Sequence, residues 1–288
     1  MSATPQDGLE ALSADWSPSP VERHEVVSAP VARNLAATLD AGLPIVDGDA
    51  LPPLWQWSYF LDWVPTRELG EDGHPRDGHF LPPLPSRRRM FAGGRVQVVA
   101  PLIIGELATR TSTLVGKAVK RGRSGEMLFV TLRHDYRQGG ELRLTEEQDL
   151  VYRSEAGTPV PQSPVTRPLG EPTAPWVMVP ELHPALLFRF SALTANAHRI
   201  HYDQGYTTGV EGFPALVVHG PLLAIYMADL ARAHGGNLRT FDFRLQRPVF
   251  VTDPIRVQGT PGEVGGSAEL AVVSGDGDVH ATASASFD

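Results

Sequence analysis

An internal repeat constrains the fold more than any other feature, because a chain with two similar halves is expected to fold as two similar units. Residues 95–105, "RVQVVAPLIIG", have the pattern of a strand, a proline and a short apolar run. Residues 242–252, "DFRLQRPVFVT", repeat that order. In each half, strand-like segments follow around a glycine-containing turn, at residues 139–140 and 275–277. These turns predict β-hairpins in both halves.

Helical segments precede the strands in both halves. The first half has "VARNLAATLD" (31–40) and "PPLWQWSYFLDW" (52–63), and the second has "PALLFRFSAL" (184–193) and "GPLLAIYMADLARAHGG" (220–236). The last segment has hardly any polar face, which predicts a buried helix. Each half is therefore predicted to contain a short helix, a buried helix and a run of antiparallel strands, which is an α+β arrangement.

Composition excludes several classes of function. The chain of 288 residues has no cysteine, which excludes a thiolate nucleophile and a thiolate metal site. Its formal net charge of -8 argues against nucleic acid as a partner. No apolar run is long enough to cross a bilayer, and the N-terminus does not resemble a secretory signal. We therefore expect a cytoplasmic protein with no membrane partner.

The segment from 190 to 220 carries an ordered set of aromatic, amide, histidine and glycine residues. They are Phe190, Asn196, His198, Arg199, Ile200, His201, Asp203, Gly212, Phe213, His219 and Gly220. Their order resembles the central motif of the MaoC-like, hydratase-2 branch of the hot-dog family. That motif runs from an aromatic residue to Asp-x-Asn-Pro-Ile-His-x-Asp, then Gly-Phe, then His-Gly at the start of a long helix.

The resemblance extends over about residues 21–288, and the whole chain looks like the two-hot-dog relatives of that branch. These relatives are 3-hydroxyacyl-thioester dehydratases and the itaconyl-CoA and mesaconyl-CoA hydratases. The resemblance implies a double hot-dog, with two antiparallel sheets that each wrap around a long central helix.

Three segments are predicted from this resemblance and from the composition along the chain. Residues 21–152 form an N-terminal hot-dog whose own site is degenerate, because its equivalent loop, "DAGLPIVDGDALP", has no histidine. Residues 153–180, rich in Pro, Gly, Ser and Thr, form a linker, and residues 181–288 form the catalytic hot-dog. The first unit is expected to shape the acyl pocket.

The resemblance implies a hydro-lyase that reversibly hydrates an enoyl-CoA or dehydrates a 3-hydroxyacyl-CoA. A C4–C5 dicarboxylic acyl group, such as mesaconyl or itaconyl, is one candidate substrate. An acyl-CoA thioesterase and a non-catalytic acyl-CoA-binding subunit are the alternatives. Coenzyme A is then part of the substrate, no separate cofactor is expected, and the protein is expected to be a monomer or a homodimer.

Three residues are the candidates for catalysis. His201 is the natural base, because imidazole titrates close to neutral pH. The Gly220 N–H, at the start of the buried helix, is placed to stabilise negative charge on the thioester oxygen. Asn196 occupies the place of the motif's aspartate, and an amide cannot transfer a proton. Either His201 makes both proton transfers while Asn196 holds the water, or Asp203 or Glu211 supplies the second acid.

The remaining candidates concern substrate and metal binding. The candidate substrate-binding residues are Arg87, Arg88, Arg89, Arg199, His198, Phe213 and His219. The three consecutive arginines suit coenzyme A phosphates or a substrate carboxylate. His24, His74, His79 and His183 show no pairing with a second histidine and a carboxylate along the chain, so no metal site is predicted.

Overall fold

The fold combines one large sheet with a few helices, in a computed structural model that describes residues 8–42, 44–84, 88–122, 125–153, 162–263 and 265–288. The helices are α1 (Leu9–Ser13), α2 (Ala29–Thr38), α3 (Pro184–Leu193), α4 (Gln204–Gly209) and α5 (Gly220–Gly235). The strands are β1 (Val21–Val26), β2 (Arg88–Val98), β3 (Leu107–Gly122), β4 (Gly125–Gln138), β5 (Glu141–Arg153), β6 (Trp176–Met178), β7 (Leu238–Leu245), β8 (Ile255–Pro261), β9 (Ser267–Ser274) and β10 (Val279–Phe287).

All ten strands belong to one antiparallel sheet, in the order β1-β3-β4-β5-β2-β7-β10-β9-β8-β6. The two halves meet where β2 pairs with β7, from Gly93 opposite Arg244 to Gln97 opposite Thr240. The expectation of an α+β double repeat with antiparallel strands is met, but the expected two sheets are joined into one. The cause is this pairing, which joins the edge strand of one half to the edge strand of the other.

The predicted hairpins are present in both halves. The turn at 139–140 joins β4 to β5, and the turn at 275–277 joins β9 to β10. The segment 153–180, predicted to be a linker, contains the short strand β6, in which Trp176 pairs with Gly259 of β8. Residues 154–161 of that segment lie outside the described residues.

The long helix α5 forms the centre of the second half. Its residues from Leu222 to Ala228 are all buried, as the nearly continuous apolar run predicts. The helix lies against β7, β8, β9 and β10. These contacts with the sheet fix the position of the helix, including its first residue, Gly220.

The predicted buried helix of the first half is wrong. Only a single 3₁₀ turn, Trp55–Ser58, forms within residues 52–63, and left-handed backbone at Leu54 (φ 74°) and Phe60 (φ 55°) interrupts the helix on both sides. The buried carboxylate of Glu146 accepts hydrogen bonds from the Trp57 indole at 2.6 Å and the Gln56 amide at 3.1 Å. These bonds favour the turn, because they satisfy a buried charge that an apolar helix would leave without partners.

Two glycines permit the close pairing of β2 with its neighbours. A Cβ atom added to Gly94 would lie 2.6 Å from the Glu147 carbonyl oxygen and 3.1 Å from the Phe243 ring. Gly93, with φ 157°, would place a Cβ atom 2.3 Å from the Phe243 carbonyl oxygen. Both obstructing carbonyls belong to backbone of the sheet, which cannot move aside without loss of ladder hydrogen bonds.

Replacement Gly94→Ala is therefore expected to lower the free energy of unfolding by about 1–3 kcal/mol, the usual cost of overpacking. Urea denaturation measures this change. Gly116→Ala is the matched control, because a Cβ atom at this strand glycine would lie 3.6 Å from its nearest neighbour. Equal stability of the two variants would contradict the claim that the junction depends on close approach at Gly94.

Candidate active site

The loop between α3 and α5 carries most of the candidate residues. After α3 ends, Ala195 adopts left-handed backbone (φ 48°), and a 3₁₀ turn follows at Arg199–His201. The Asp203 carboxylate then accepts a hydrogen bond from the Tyr206 N–H at 3.0 Å and caps α4. The loop is therefore held at both ends by local structure.

His201 lies at the centre of this loop and is 7% exposed. Its Nδ1 lies 2.7 Å from the carbonyl oxygen of Val217, which can only accept a hydrogen bond, so Nδ1 carries the proton. The lone pair is therefore on Nε2. Burial lowers the pKa of His201 to about 4, a shift that the nearby His74 reinforces, so the ring is a neutral base at pH 7.

The His219 ring packs against one face of the His201 ring. The two rings are stacked, with centroids 3.7 Å apart and an interplanar angle of 19°. His219 is fully buried and its Nε2 lies 2.8 Å from the Ser191 hydroxyl oxygen. Burial lowers the pKa of His219 well below its ordinary value, so the stack contains two neutral rings. His219 therefore fixes the position of His201.

Gly220 begins α5 directly after His219. Pro221 has no N–H, so Gly220 provides the N–H at the tip of this helix. A Cβ atom at this position would lie 2.2 Å from a methyl carbon of Leu245. The tip of α5 therefore lies against β7, and the Gly220 N–H is a candidate donor to a bound carbonyl oxygen.

Asn196 has one half of its amide engaged. Its side-chain oxygen accepts a hydrogen bond from the His198 N–H at 3.1 Å. Within the part of the chain that the structure describes, the amide NH₂ group makes no hydrogen bond. This group is available to hold a water molecule or a substrate oxygen.

Both candidate second acids are bound to other groups. Asp203 pairs with Arg199 at 2.7 Å in addition to capping α4. The hydrogen bond from the Tyr206 N–H and the Arg199 guanidinium lower the pKa of Asp203, which keeps this carboxylate ionised. Glu211 accepts a hydrogen bond from the Tyr206 hydroxyl at 3.0 Å. These contacts give both carboxylates a structural role in holding the loop.

A hairpin from the first half docks against this loop. Leu69 bridges to Pro75, and Gly73 has left-handed backbone (φ 90°) at the tip. The Arg199 N–H donates to the Asp72 carbonyl oxygen at 2.8 Å. A Cβ atom on Gly73 would lie 1.8 Å from the Ala197 carbonyl oxygen, so only glycine permits this approach.

The hairpin brings His74 to the site, which the sequence did not predict. The His74 and His198 rings have centroids 4.1 Å apart, and the His198 and His201 rings have centroids 5.5 Å apart. His74 Nδ1 lies 2.8 Å from the Asp72 carboxylate. Burial, and then the charges of His74 and His201, lower the pKa of His198 to about 2. The signal in the sequence was the turn "DGH" at 72–74. No local pattern shows which distant segment this turn contacts.

Asp72, His74 and His198 could also hold a metal ion. One ligand atom of each lies within 4.8 Å of the other two. Two imidazoles and a carboxylate suit zinc or a similar transition metal better than magnesium or calcium. The spacing of histidines along the sequence missed this cluster, because its members come from both halves. The absence of a metal or other cofactor stays a prediction.

The other predicted substrate-binding residues are dispersed. Arg89 is exposed at the start of β2, and its charge is among the causes that lower the pKa of both His74 and His198. Arg87 lies outside the described residues, and Arg88 is described only by its backbone, which pairs with Arg153. Phe213 packs beside Phe250, with ring centroids 6.0 Å apart.

Arg199 has its guanidinium fully engaged in the protein. Besides Asp203, it donates to the Glu71 carbonyl oxygen at 3.0 Å and lies over the Tyr206 ring at 4.1 Å. Its contacts connect the first-half hairpin to the loop of the second half.

A neutral, buried imidazole beside a helix N-terminus suits the hydration or dehydration of a thioester, and the hot-dog relatives of this chain point to the same class of enzyme. A model of the family described as hydroxyacyl-thioester dehydratase type 2 matches residues 54–251. The chain belongs to this family. Membership confirms the predicted family and the predicted reaction class, a hydro-lyase acting on acyl thioesters.

Similar proteins agree with this membership. The chain is 46% identical over 257 residues to mesaconyl-C(4)-CoA hydratase of Chloroflexus aurantiacus, which covers 86% of this chain and 90% of that protein. The solved structure of a MaoC-like dehydratase is similar, with a TM-score of 0.68, 15% identity and coverage of 98% and 100%. A conserved hypothetical protein from Mycobacterium tuberculosis with a double hot-dog fold has a TM-score of 0.54, 12% identity and coverage of 94% and 96%. These two structures support the fold.

In the described ranges, none of the helices is long and apolar enough to span a bilayer.

The buried histidines predict a loss of stability in acid. Because burial lowers the pKa of His201 from 6.5 to about 4, the unfolded chain takes up this proton before the folded protein does. The free energy of unfolding should therefore fall as the pH drops from about 6.5 to 4, by roughly 3 kcal/mol from this group alone. Urea denaturation across that range should show a shallower slope for His201→Gln than for the unsubstituted protein. His24→Gln, at an exposed ring, is the control, and equal slopes for all three would contradict the assignment.

Proposed function

We propose that the protein reversibly adds water across the double bond of an α,β-unsaturated acyl-CoA that carries a second carboxylate, such as mesaconyl-CoA. The observation that carries this proposal is the state of His201, with its proton on Nδ1, its lone pair on Nε2 and its ring neutral at pH 7. The substrate class is supported by the 46% identity to a mesaconyl-C(4)-CoA hydratase over most of both chains.

His201 acts first as a base. In the direction of hydration, Nε2 takes a proton from a water molecule, and the water oxygen bonds to the β-carbon of the substrate. The Asn196 NH₂ group holds the water oxygen in place, since its own carbonyl oxygen is engaged by His198. The electron pair of the double bond moves onto the α-carbon and the thioester oxygen.

His201 then acts as the acid. Because its pKa is about 4, the imidazolium formed in the first step readily gives up its proton, and this proton goes to the α-carbon. The atoms of one water molecule are thus added without a second proton carrier. This accounts for an amide at position 196 and for the engagement of Asp203 and Glu211 in structural contacts.

The Gly220 N–H stabilises the charge that develops on the thioester oxygen. The end of a helix presents both a free N–H group and a favourable dipole, and a donor of this kind typically contributes roughly 10²- to 10³-fold in rate. Leu245, which lies against Gly220, is two residues beyond Phe243 on the same face of β7.

The first half, residues 21–152, supplies the wall of the acyl pocket. Trp57, Phe91 and Phe243 form an aromatic cluster where β2 meets β7, with ring centroids 5.8–6.1 Å apart. Two of these rings come from the first half. With residues 153–180 as the connection, residues 181–288 then carry the reacting groups.

The experiment is the loss of enoyl-thioester ultraviolet absorbance with crotonyl-CoA and mesaconyl-C(4)-CoA. We expect hydration without release of free thiol, and a fall in kcat of roughly 10²- to 10⁴-fold for His201→Ala, the usual contribution of a positioned base. His24→Ala is the control at an exposed ring. Full activity of His201→Ala, or release of free coenzyme A at the same rate as loss of absorbance, would contradict the proposal.

A further inference from the structure

We infer that Arg89 and His198 form a subsite for a carboxylate on the β-carbon of the substrate, with Asp72 and His74 as the positioning pair behind His198. The inference rests on the proposed hydration reaction, because it locates the carboxylate relative to the base that activates water. It goes further by naming which residues distinguish a dicarboxylic substrate from an ordinary enoyl-CoA.

The chemistry of the substrate places this subsite next to His201. In mesaconyl-C(4)-CoA the β-carbon carries a methyl group and the free carboxylate, and water adds to that same carbon. The carboxylate is therefore one bond from the β-carbon, to which the water activated by His201 adds. The polar side chain of His198 is a neighbour of the His201 ring, with ring centroids 5.5 Å apart and ring planes at 88°.

His198 has the capacity to donate a hydrogen bond. Its side chain is half-buried and makes no hydrogen bond to another residue in the portion of the chain that is described. A neutral imidazole has one N–H donor, and a carboxylate is the acceptor that such a donor stabilises most. The ring N–H of His198, beside His201, is therefore available to bind a substrate carboxylate.

Arg89 provides the positive charge. It is exposed and, over the described ranges, makes no ion pair, whereas Arg199 is bound to Asp203 and Glu71. Alternation along β2 places Arg89 on the same face as Phe91, which packs on Trp57 in the aromatic cluster. The charge of Arg89 is also among the causes that lower the pKa of both His74 and His198, which agrees with this placement.

Asp72 and His74 hold His198 in place rather than contacting the substrate. The His74 ring lies against His198, and both the His74 N–H and its Nδ1 bond to the Asp72 carboxylate, at 3.0 Å and 2.8 Å. This carboxylate is therefore satisfied by His74, which reduces its repulsion of a bound substrate carboxylate. The docking of Gly73 on Ala197 prevents the pair from moving away.

The test compares two substrates that differ only at the carboxylate. Mesaconyl-C(4)-CoA has a carboxylate where 3-methylcrotonyl-CoA has a methyl group, so the ratio of their kcat/KM values isolates recognition of the charge. We expect Arg89→Gln and His198→Ala each to lower this ratio by roughly 10- to 100-fold, the usual effect of losing a hydrogen bond to a charged group. Because it is a ratio, a general loss of folded enzyme does not change it. Arg67→Gln, at another exposed arginine, should leave the ratio unchanged.

The outcomes separate this inference from the proposed function. Hydration of 3-methylcrotonyl-CoA with a ratio that neither Arg89→Gln nor His198→Ala changes would overturn the subsite and leave the hydratase intact. A ratio that collapses with a chelator and returns with Zn²⁺ would overturn it too, because the carboxylate would then be held by a metal ion at Asp72, His74 and His198. If neither mesaconyl-C(4)-CoA nor 3-methylcrotonyl-CoA is hydrated, the proposed function itself is wrong.

Discussion

The hydrogen bond from His201 Nδ1 to the Val217 carbonyl oxygen determines what this site can do. It fixes the tautomer, and burial on the His219 ring keeps the imidazole neutral, so Nε2 is a base at neutral pH. Because burial lowers the pKa of His201, the protonated ring is a stronger acid than free imidazolium. Both properties support the proposal that one side chain takes a proton from water and returns it to carbon.

The second half alone does not complete the site. Its loop depends on a hairpin of the first half, since Arg199 N–H binds the Asp72 carbonyl oxygen and Gly73 contacts Ala197. The pairing of β2 with β7 fixes the distance between the halves. The first half thus positions part of the site, because its His74 ring lies against His198.

Much of the fold could be predicted from the sequence where local pattern and burial agree. The helix at 184–193, the long helix from Gly220 and both hairpins followed from apolar periodicity and turn residues. The helix expected at 52–63 failed, because the buried Glu146, distant along the chain, binds Gln56 and Trp57. The single continuous sheet could not be foreseen either, since pairing of β2 with β7 depends on the contact between the two halves.

The candidate site could likewise be predicted only in part from the sequence. The order of residues from Phe190 to Gly220 identified the loop and the helix tip, because these residues are close along the chain. His74 and Asp72 were missed, since they approach His198 only after the halves assemble. Asp203 and Glu211 were sensible candidates as acids by residue type, and their hydrogen bonds became known only from the structure.

The measurement that tests the central claim most directly is nitrogen-15 NMR of the histidine rings as a function of pH, with His201 assigned by the signals lost in His201→Gln. The account predicts a neutral His201 ring at pH 7, with the proton on Nδ1 and an unprotonated Nε2, that remains neutral down to about pH 5. A His201 ring that is protonated at pH 7, or that carries its proton on Nε2, would contradict the account.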